Sequence, residues 1–313
     1  MEITIADLGP VKLPDFFILG AAKSGTSSLF RYLGEHPQIH SPAVKEPWFF
    51  SFPPPEDTDV PIPNLAGAIT ELPDYVEQFS DCGENQITGE ASPSYLFTPA
   101  VSIPKIKALY GPERAGQLKF FILLRNPVDR AWSMYWTFGR KLMEELEFEE
   151  AIQPAAIAAR KAAGERLFYD YIGAGRYCSQ IRAYQEAFAP EQIKIILFED
   201  LISDTANICR ECYALLGVDP DFAPDTAQVY NVSGRPTNTG IIRFLKADNP
   251  FKSVFKSLVS PDMRRRLKRM IGKRVLEKVK MKPETRQELI AVYRDEILEL
   301  QDLLGRDLGH WLR

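Results

Sequence analysis

The sequence predicts an α/β fold of three layers, a central parallel sheet flanked by helices, with a P-loop-like turn near its start. Short and almost wholly apolar runs at 16–19, 118–124 and 193–198, with a weaker one at 86–89, read as strands covered on both faces. Helical patterns separate them at 25–34, 99–110, 127–139, 177–188 and 204–216, and strands alternating with helices build a parallel sheet through crossovers. The first strand runs directly into Gly20-Ala21-Ala22-Lys23-Ser24-Gly25-Thr26-Ser27-Ser28. A glycine-bearing turn that opens a helix places backbone N–H groups around phosphate oxygens.

In that loop the lysine is displaced. An ATP-binding loop of the G-x-x-x-x-G-K-[ST] type puts lysine directly after the second glycine. Gly20 and Gly25 keep the glycine spacing, but Thr26 follows the second glycine and the lysine stands earlier, as Lys23. The charge is therefore aimed at a different phosphate oxygen, and the loop reads as one for a nucleotide other than ATP.

A second anion signal closes the strand at 118–124. Arg125 stands at its end, Pro127 opens a helix at the first turn, where proline is tolerated, and Ser133 lies about two turns along. Ligands of open α/β sheets bind outside the carboxyl ends of strands, so Arg125 and the Lys23 loop can share one crevice. A guanidinium there suits a phosphate monoester held without metal. Three further elements fall in order along the chain: Lys45-Glu46-Pro47-Trp48-Phe49-Phe50, then Gly89-Glu90-Ala91-Ser92-Pro93-Ser94-Tyr95, then Asn231-Val232-Ser233-Gly234-Arg235-Pro236.

Composition bounds the rest. At 313 residues, 45% hydrophobic and 26% charged, the chain suits one domain spanning 1–313, with a nucleotide-binding core over about 14–240 and a helical part over 241–313. A net charge of -4 gives no reason to expect nucleic-acid binding, and no apolar run reaches the ~18 residues of a membrane span. The acidic start lacks the pattern of a secretion signal. The four cysteines suggest no disulfide framework, and Cys209 and Cys212, at i and i+3 of an amphipathic helix, read as small buried apolar residues. With three histidines, scattered as His36, His40 and His310, no metal site is expected. The expected compartment is the cytoplasm.

The five elements, in this order, resemble the sulfotransferases that use 3′-phosphoadenosine 5′-phosphosulfate (PAPS), especially the heparan-sulfate-type branch and its soluble bacterial relatives. The resemblance runs over roughly 14–240 and implies roles residue by residue. Lys23, Ser24, Gly25, Thr26, Ser27 and Ser28 would hold the 5′-phosphosulfate, with Lys23 also acting on the leaving oxygen. Arg125 and Ser133 would hold the 3′-phosphate. Glu46 would be the general base, with Glu90 and then His40 next in line. Ser233, Gly234 and Arg235 would clamp the nucleotide, while Glu90 and Tyr95 would meet the acceptor. Ala91 stands where heparan-type members often carry lysine, which points away from a glycosaminoglycan.

The implied activity is metal-independent transfer of a sulfuryl group to a hydroxyl of a carbohydrate or small metabolite, with PAP (3′-phosphoadenosine 5′-phosphate) as product. A carrier-tethered acyl acceptor, and so a carrier protein partner, stays open. The alternative is a small-molecule kinase that uses Lys23 on ATP, with Glu199 and Asp200 holding Mg²⁺. The basic segment 262–282, rich in arginine and lysine, reads either as a solvated helix face or as a patch that steers an anionic acceptor.

Overall fold

In the computed structural model, residues 2–5, 8–53, 67–140, 143–226, 235–236, 276–277 and 279–313 are described. Strands β1 (Glu2–Ile5) and β2 (Gly9–Lys12) pair antiparallel ahead of the main sheet. That sheet holds β3 (Phe16–Gly20), β4 (Ile39–His40), β5 (Ile87–Glu90), β6 (Lys119–Leu124) and β7 (Ile193–Leu197) in the order β4-β5-β3-β6-β7. Every pairing within it is parallel. The predicted strands are therefore present, shifted by a residue at their ends.

Helix α1 (Thr26–Leu33) leads from β3 to β4. Between β4 and β6 lie α2 (Leu72–Glu77), α3 (Ser94–Phe97) and α4 (Pro99–Ala115), the last kinked at Gly111. Helices α5 (Pro127–Arg140), α6 (Phe148–Ala151), α7 (Pro154–Ala162) and α8 (Tyr177–Ala187) connect β6 to β7. After β7 come α9 (Phe198–Ser203) and α10 (Thr205–Leu216). Two short strands, β8 (Arg235–Pro236) and β9 (Leu276–Glu277), pair antiparallel, and α11 (Pro283–Leu304) follows.

The three layers follow from the two-residue period of the strands, which sends successive side chains to opposite faces. Phe17, Leu19, Phe120, Ile122 and Leu124 pack on one face with Tyr110 of α4, Val128 and Ala131 of α5, Tyr184 of α8 and Tyr293 of α11. Phe16, Ile18, Phe121 and Leu123 pack on the other with Leu29 and Leu33 of α1 and Ile208 and Tyr213 of α10. Both faces are dry, which is why these strands read as continuous apolar runs.

Cys209 and Cys212 sit fully buried on α10 as the sequence predicts, and burial pushes the Cys209 thiol up to about 12. All four cysteines are free. Of the predicted basic helix at 262–282, residues 262–275 and 278 lie outside the described residues, as do 54–66 of the proline-rich loop. Among the described residues, no helix is long and apolar enough to cross a membrane.

Candidate active site

The carboxyl ends of β3 and β6 lie side by side, since these strands pair in parallel register from Phe16–Lys119 onward. The turn after β3 is tight: Lys23 has φ 76° and Gly25 has φ 96°. A Cβ at Gly25 would stand 2.9 Å from Leu201 Cδ2 and 3.1 Å from Phe198 Cδ2, so glycine is required both for the backbone angle and for the approach of α9. Gly25 also caps α1, which has no side-chain cap hydrogen bond and no acidic residue in its first turn. The helix therefore presents its N-terminal dipole to an anion.

Arg125 follows β6 directly. Its guanidinium lies 4.9 Å from the Phe198 ring centroid, and its Nη1 donates to the Lys23 carbonyl at 3.2 Å. Burial lowers the Arg125 pKa from its usual value, so the charge sits in a setting where a bound anion is strongly favoured. Asn126 caps α5 by accepting from the Val128 N–H at 3.0 Å. That helix carries Ser133, 4% exposed, and Thr137 one turn further on.

The loop after β4 brings in Glu46. It is half-buried and ion-paired with its neighbour Lys45. Trp48, at φ 57°, turns the chain just beyond it.

One cavity of about 610 Å³ collects these groups, lined among others by Lys23, Gly25, Thr26, Ser27, Ser28, Glu46, Arg125 and Ser133. Eight residues expected to act together from their order in the sequence thus face one space. Ser24 lies beneath the loop, fully buried. Ser233 and Gly234 fall outside the described residues, and Arg235 is described by its backbone alone, in a strand that packs against α5.

Glu90 and Tyr95 are not at the cavity. Both are fully buried, with the Tyr95 hydroxyl donating to Glu90 Oε1 at 2.7 Å. The physical reason is register: Glu90 stands opposite Phe17, so the pleat aims it into the core face that holds Phe17. His40 is spoken for by Thr88, 3.0 Å from its Nδ1.

Sequence reasoning passed over two stretches of the wall. Phe198, Leu201 and Ile202 form one side, and their position straight after β7 is the signal that would have found them. Phe138, Met143, Arg166 and Phe168 form another. The last two come from a segment with no helical or strand period, so no sequence signal marks them.

The carboxylates proposed for Mg²⁺ in the kinase alternative are engaged elsewhere. Glu199 Oε1 accepts from Trp311 Nε1 at 2.7 Å, with His310 Nε2 at 2.9 Å, and Asp200 pairs with Arg306 at 3.1 Å. Among the described residues, no three His, Cys, Asp or Glu side chains gather as metal ligands.

A family model described as the sulfotransferase domain matches residues 13–233. The chain belongs to the sulfotransferase family. A crystal structure of a sulfotransferase from Alicyclobacillus acidocaldarius superposes with a TM-score of 0.71 at 32% identity, covering 97% of this chain and 100% of that one. Bifunctional heparan sulfate N-deacetylase/N-sulfotransferase 3 of Homo sapiens is 25% identical over an alignment of 316 positions that covers 96% of this chain and 31% of that protein. Heparan sulfate glucosamine 3-O-sulfotransferase 3A1 of Mus musculus is 26% identical over 214 residues, 68% of this chain and 48% of that protein. The chain thus spans less than half the length of these two curated relatives. Membership in this family supports sulfuryl transfer over the kinase alternative.

Proposed function

We propose that the chain transfers the sulfuryl group of PAPS to an acceptor hydroxyl, with Glu46 as general base and Lys23 acting on the leaving oxygen. One observation carries this: the single cavity that unites the 23–28 loop, Glu46, Arg125 and Ser133. The residues suit the nucleotide, because the glycine cap of α1 leaves helix N–H groups for one phosphate and Arg125 offers a guanidinium for another. PAPS supplies the sulfuryl group when bound.

In this reading Glu46, ion-paired with its neighbour Lys45, takes the proton of the acceptor hydroxyl as the new O–S bond forms. The bond between sulfur and the bridging oxygen breaks, and Lys23 with the first N–H groups of α1 stabilises the charge that develops there. PAP departs. Lysine supplies the positive charge at the leaving oxygen, so the step as written asks for no metal.

The acceptor is a carbohydrate or small-metabolite hydroxyl. The two heparan-sulfate relatives support a carbohydrate, and Ala91 points away from a glycosaminoglycan. The chain acts as one domain over 1–313, supported by a core in which Leu13, Phe120, Tyr293 and Trp311 belong to one cluster. Free buried cysteines support a cytoplasmic setting.

The test is calorimetry with PAP and with ATP–Mg²⁺, followed by incubation with PAPS and a panel of hydroxyl acceptors read by mass spectrometry. Tight PAP binding without Mg²⁺ and a sulfated product are expected. Preference for ATP–Mg²⁺ over PAP would sink the proposal.

A further inference from the structure

Glu90 is a buried carboxyl that the proposed chemistry does not use. It sits at the end of β5, 0% exposed, with three hydroxyls converging on it: Tyr75 at 3.1 Å and Tyr95 at 2.7 Å on Oε1, and Ser92 at 3.2 Å on Oε2. Two of these hydroxyls also accept from the loop that carries Glu46. The Trp48 N–H donates to Ser92 Oγ at 3.1 Å, and the Phe50 N–H donates to the Tyr95 hydroxyl at 3.3 Å. On the other side of Glu46, the Ala91 N–H donates to the Lys45 carbonyl at 3.2 Å.

The aromatic packing repeats this pattern. Phe49 stacks on Tyr75 with centroids 4.3 Å apart, and Phe50 meets the edges of both Tyr75 and Tyr95. A loop that turns through a positive φ at Trp48 needs such ties, because the left-handed region costs energy for a residue with a Cβ.

We infer that Glu90 is a positioning residue: its carboxyl fixes the hydroxyls of Ser92 and Tyr95, and these hold the 45–51 loop so that Glu46 faces the cavity. The effect on turnover rests on Glu46 being the base, whereas the effect on the loop does not. A hydroxyl can donate one hydrogen. With the Tyr95 hydrogen committed to Glu90 Oε1 and Ser92 Oγ held against Oε2, each hydroxyl oxygen keeps a lone pair for the loop N–H group. Glu90 thereby sets the direction of two bonds that it does not itself make.

Hydrogen–deuterium exchange at the Trp48 and Phe50 amides, measured on the full chain with PAP present, tests this. Ser92→Ala should speed exchange roughly tenfold at Trp48, and Tyr95→Phe should do so at Phe50, each the loss of about one hydrogen bond. Glu90→Leu should speed both. Glu90→Gln keeps an acceptor oxygen and should restore most of the protection.

With the acceptor found in the panel above, Glu90→Leu should lower kcat by roughly 10–100-fold through misplacement, with PAP affinity unchanged. Should Glu90→Leu fail to fold, the other three variants decide. Unchanged Trp48 exchange in Ser92→Ala overturns the inference. So does a Glu90→Gln protein with protected amides and a turnover loss of about 10²–10⁴, which is the mark of a proton-transfer group. A Glu46→Gln control at full activity, beside the expected exchange pattern, would remove the base assignment and leave the positioning role standing.

Discussion

Arg125 Nη1 donates to the carbonyl oxygen of Lys23 at 3.2 Å. The strand-end arginine of β6 and the loop after β3, more than a hundred residues apart in sequence, are one mechanical unit. Each is placed by its own strand, and the bond between them ties the strand end of β6 to the loop after β3. Phe198, under the Arg125 guanidinium at 4.9 Å and against Gly25, fixes the same unit from the α9 side.

Replacing Arg125 therefore acts twice. Arg125→Ala should weaken PAP binding by roughly 10–100-fold, since hydrogen bonds to charged groups contribute about 1.5–3 kcal/mol. The analogue without a 3′-phosphate should lose much less, its remaining loss coming from the freed Lys23 loop. Calorimetry with both ligands checks this, and equal losses would take the 3′-phosphate away from Arg125.

Glu46 and Lys23 should separate in kinetics. Glu46→Gln keeps the shape but not the basicity, so kcat should fall on the order of 10²–10⁴ while PAP affinity is nearly unchanged. Lys23→Ala should reduce both, because the lysine is placed to meet the bound nucleotide as well as the leaving oxygen. PAP calorimetry and single-turnover sulfation measure the pair. Near-normal turnover in Glu46→Gln would place the base elsewhere.

The carboxyl-terminal turn stabilises the site from behind. Trp311 is 2% exposed, donates to Glu199, and accepts at its carbonyl from Asn126 Nδ2 at 3.2 Å. Asn126 in turn caps α5 directly after Arg125. Trp311→Ala should cost about 3–5 kcal/mol of stability and should also weaken PAP binding in the fraction that stays folded. Urea unfolding and calorimetry read the two effects; full stability would show that the indole is dispensable.

What was legible in the sequence is what local physics dictates. Apolar runs such as 118–124 announce strands covered on both faces, and Gly25 before a polar helix start announces the tight turn that opens α1. The reading at 193–198 ran one residue long because Phe198 is as apolar as the strand, yet it opens α9 and faces the cavity. Glu90 shows the deeper limit. A glutamate at a strand end looks the same in sequence whether the pleat aims it at a ligand or into the core. Its pairing with Phe17 decides, and that register is a tertiary fact. Arg166 and Phe168 reach the cavity wall from the single 3₁₀ turn Leu167–Tyr169 and its cap, too short for a period to be read.

The same buried carboxyl should make stability depend on pH. Burial pushes Glu90 up to about 8, outweighing the hydrogen bonds from Tyr95, Tyr75 and Ser92 that pull it down. Tyr75, Tyr95 and Tyr110 around it are raised by burial too, so they stay neutral throughout the window that matters. Between the ordinary glutamate value of about 4.3 and about 8, the folded chain holds a proton that the unfolded chain releases. The stabilising contribution is therefore complete below the unfolded value and is lost as pH rises through the folded one. One proton is worth up to about 1.4 kcal/mol for each pH unit. Glu90→Gln is uncharged at every pH and lacks this term. Urea unfolding at several values between pH 5 and pH 8 should show the unsubstituted chain losing stability more steeply than Glu90→Gln as the pH rises. Other titrating groups cancel in that difference. Parallel stability curves would mean that Glu90 is already ionised in the folded chain near pH 5, its hydrogen bonds then outweighing the cost of burial.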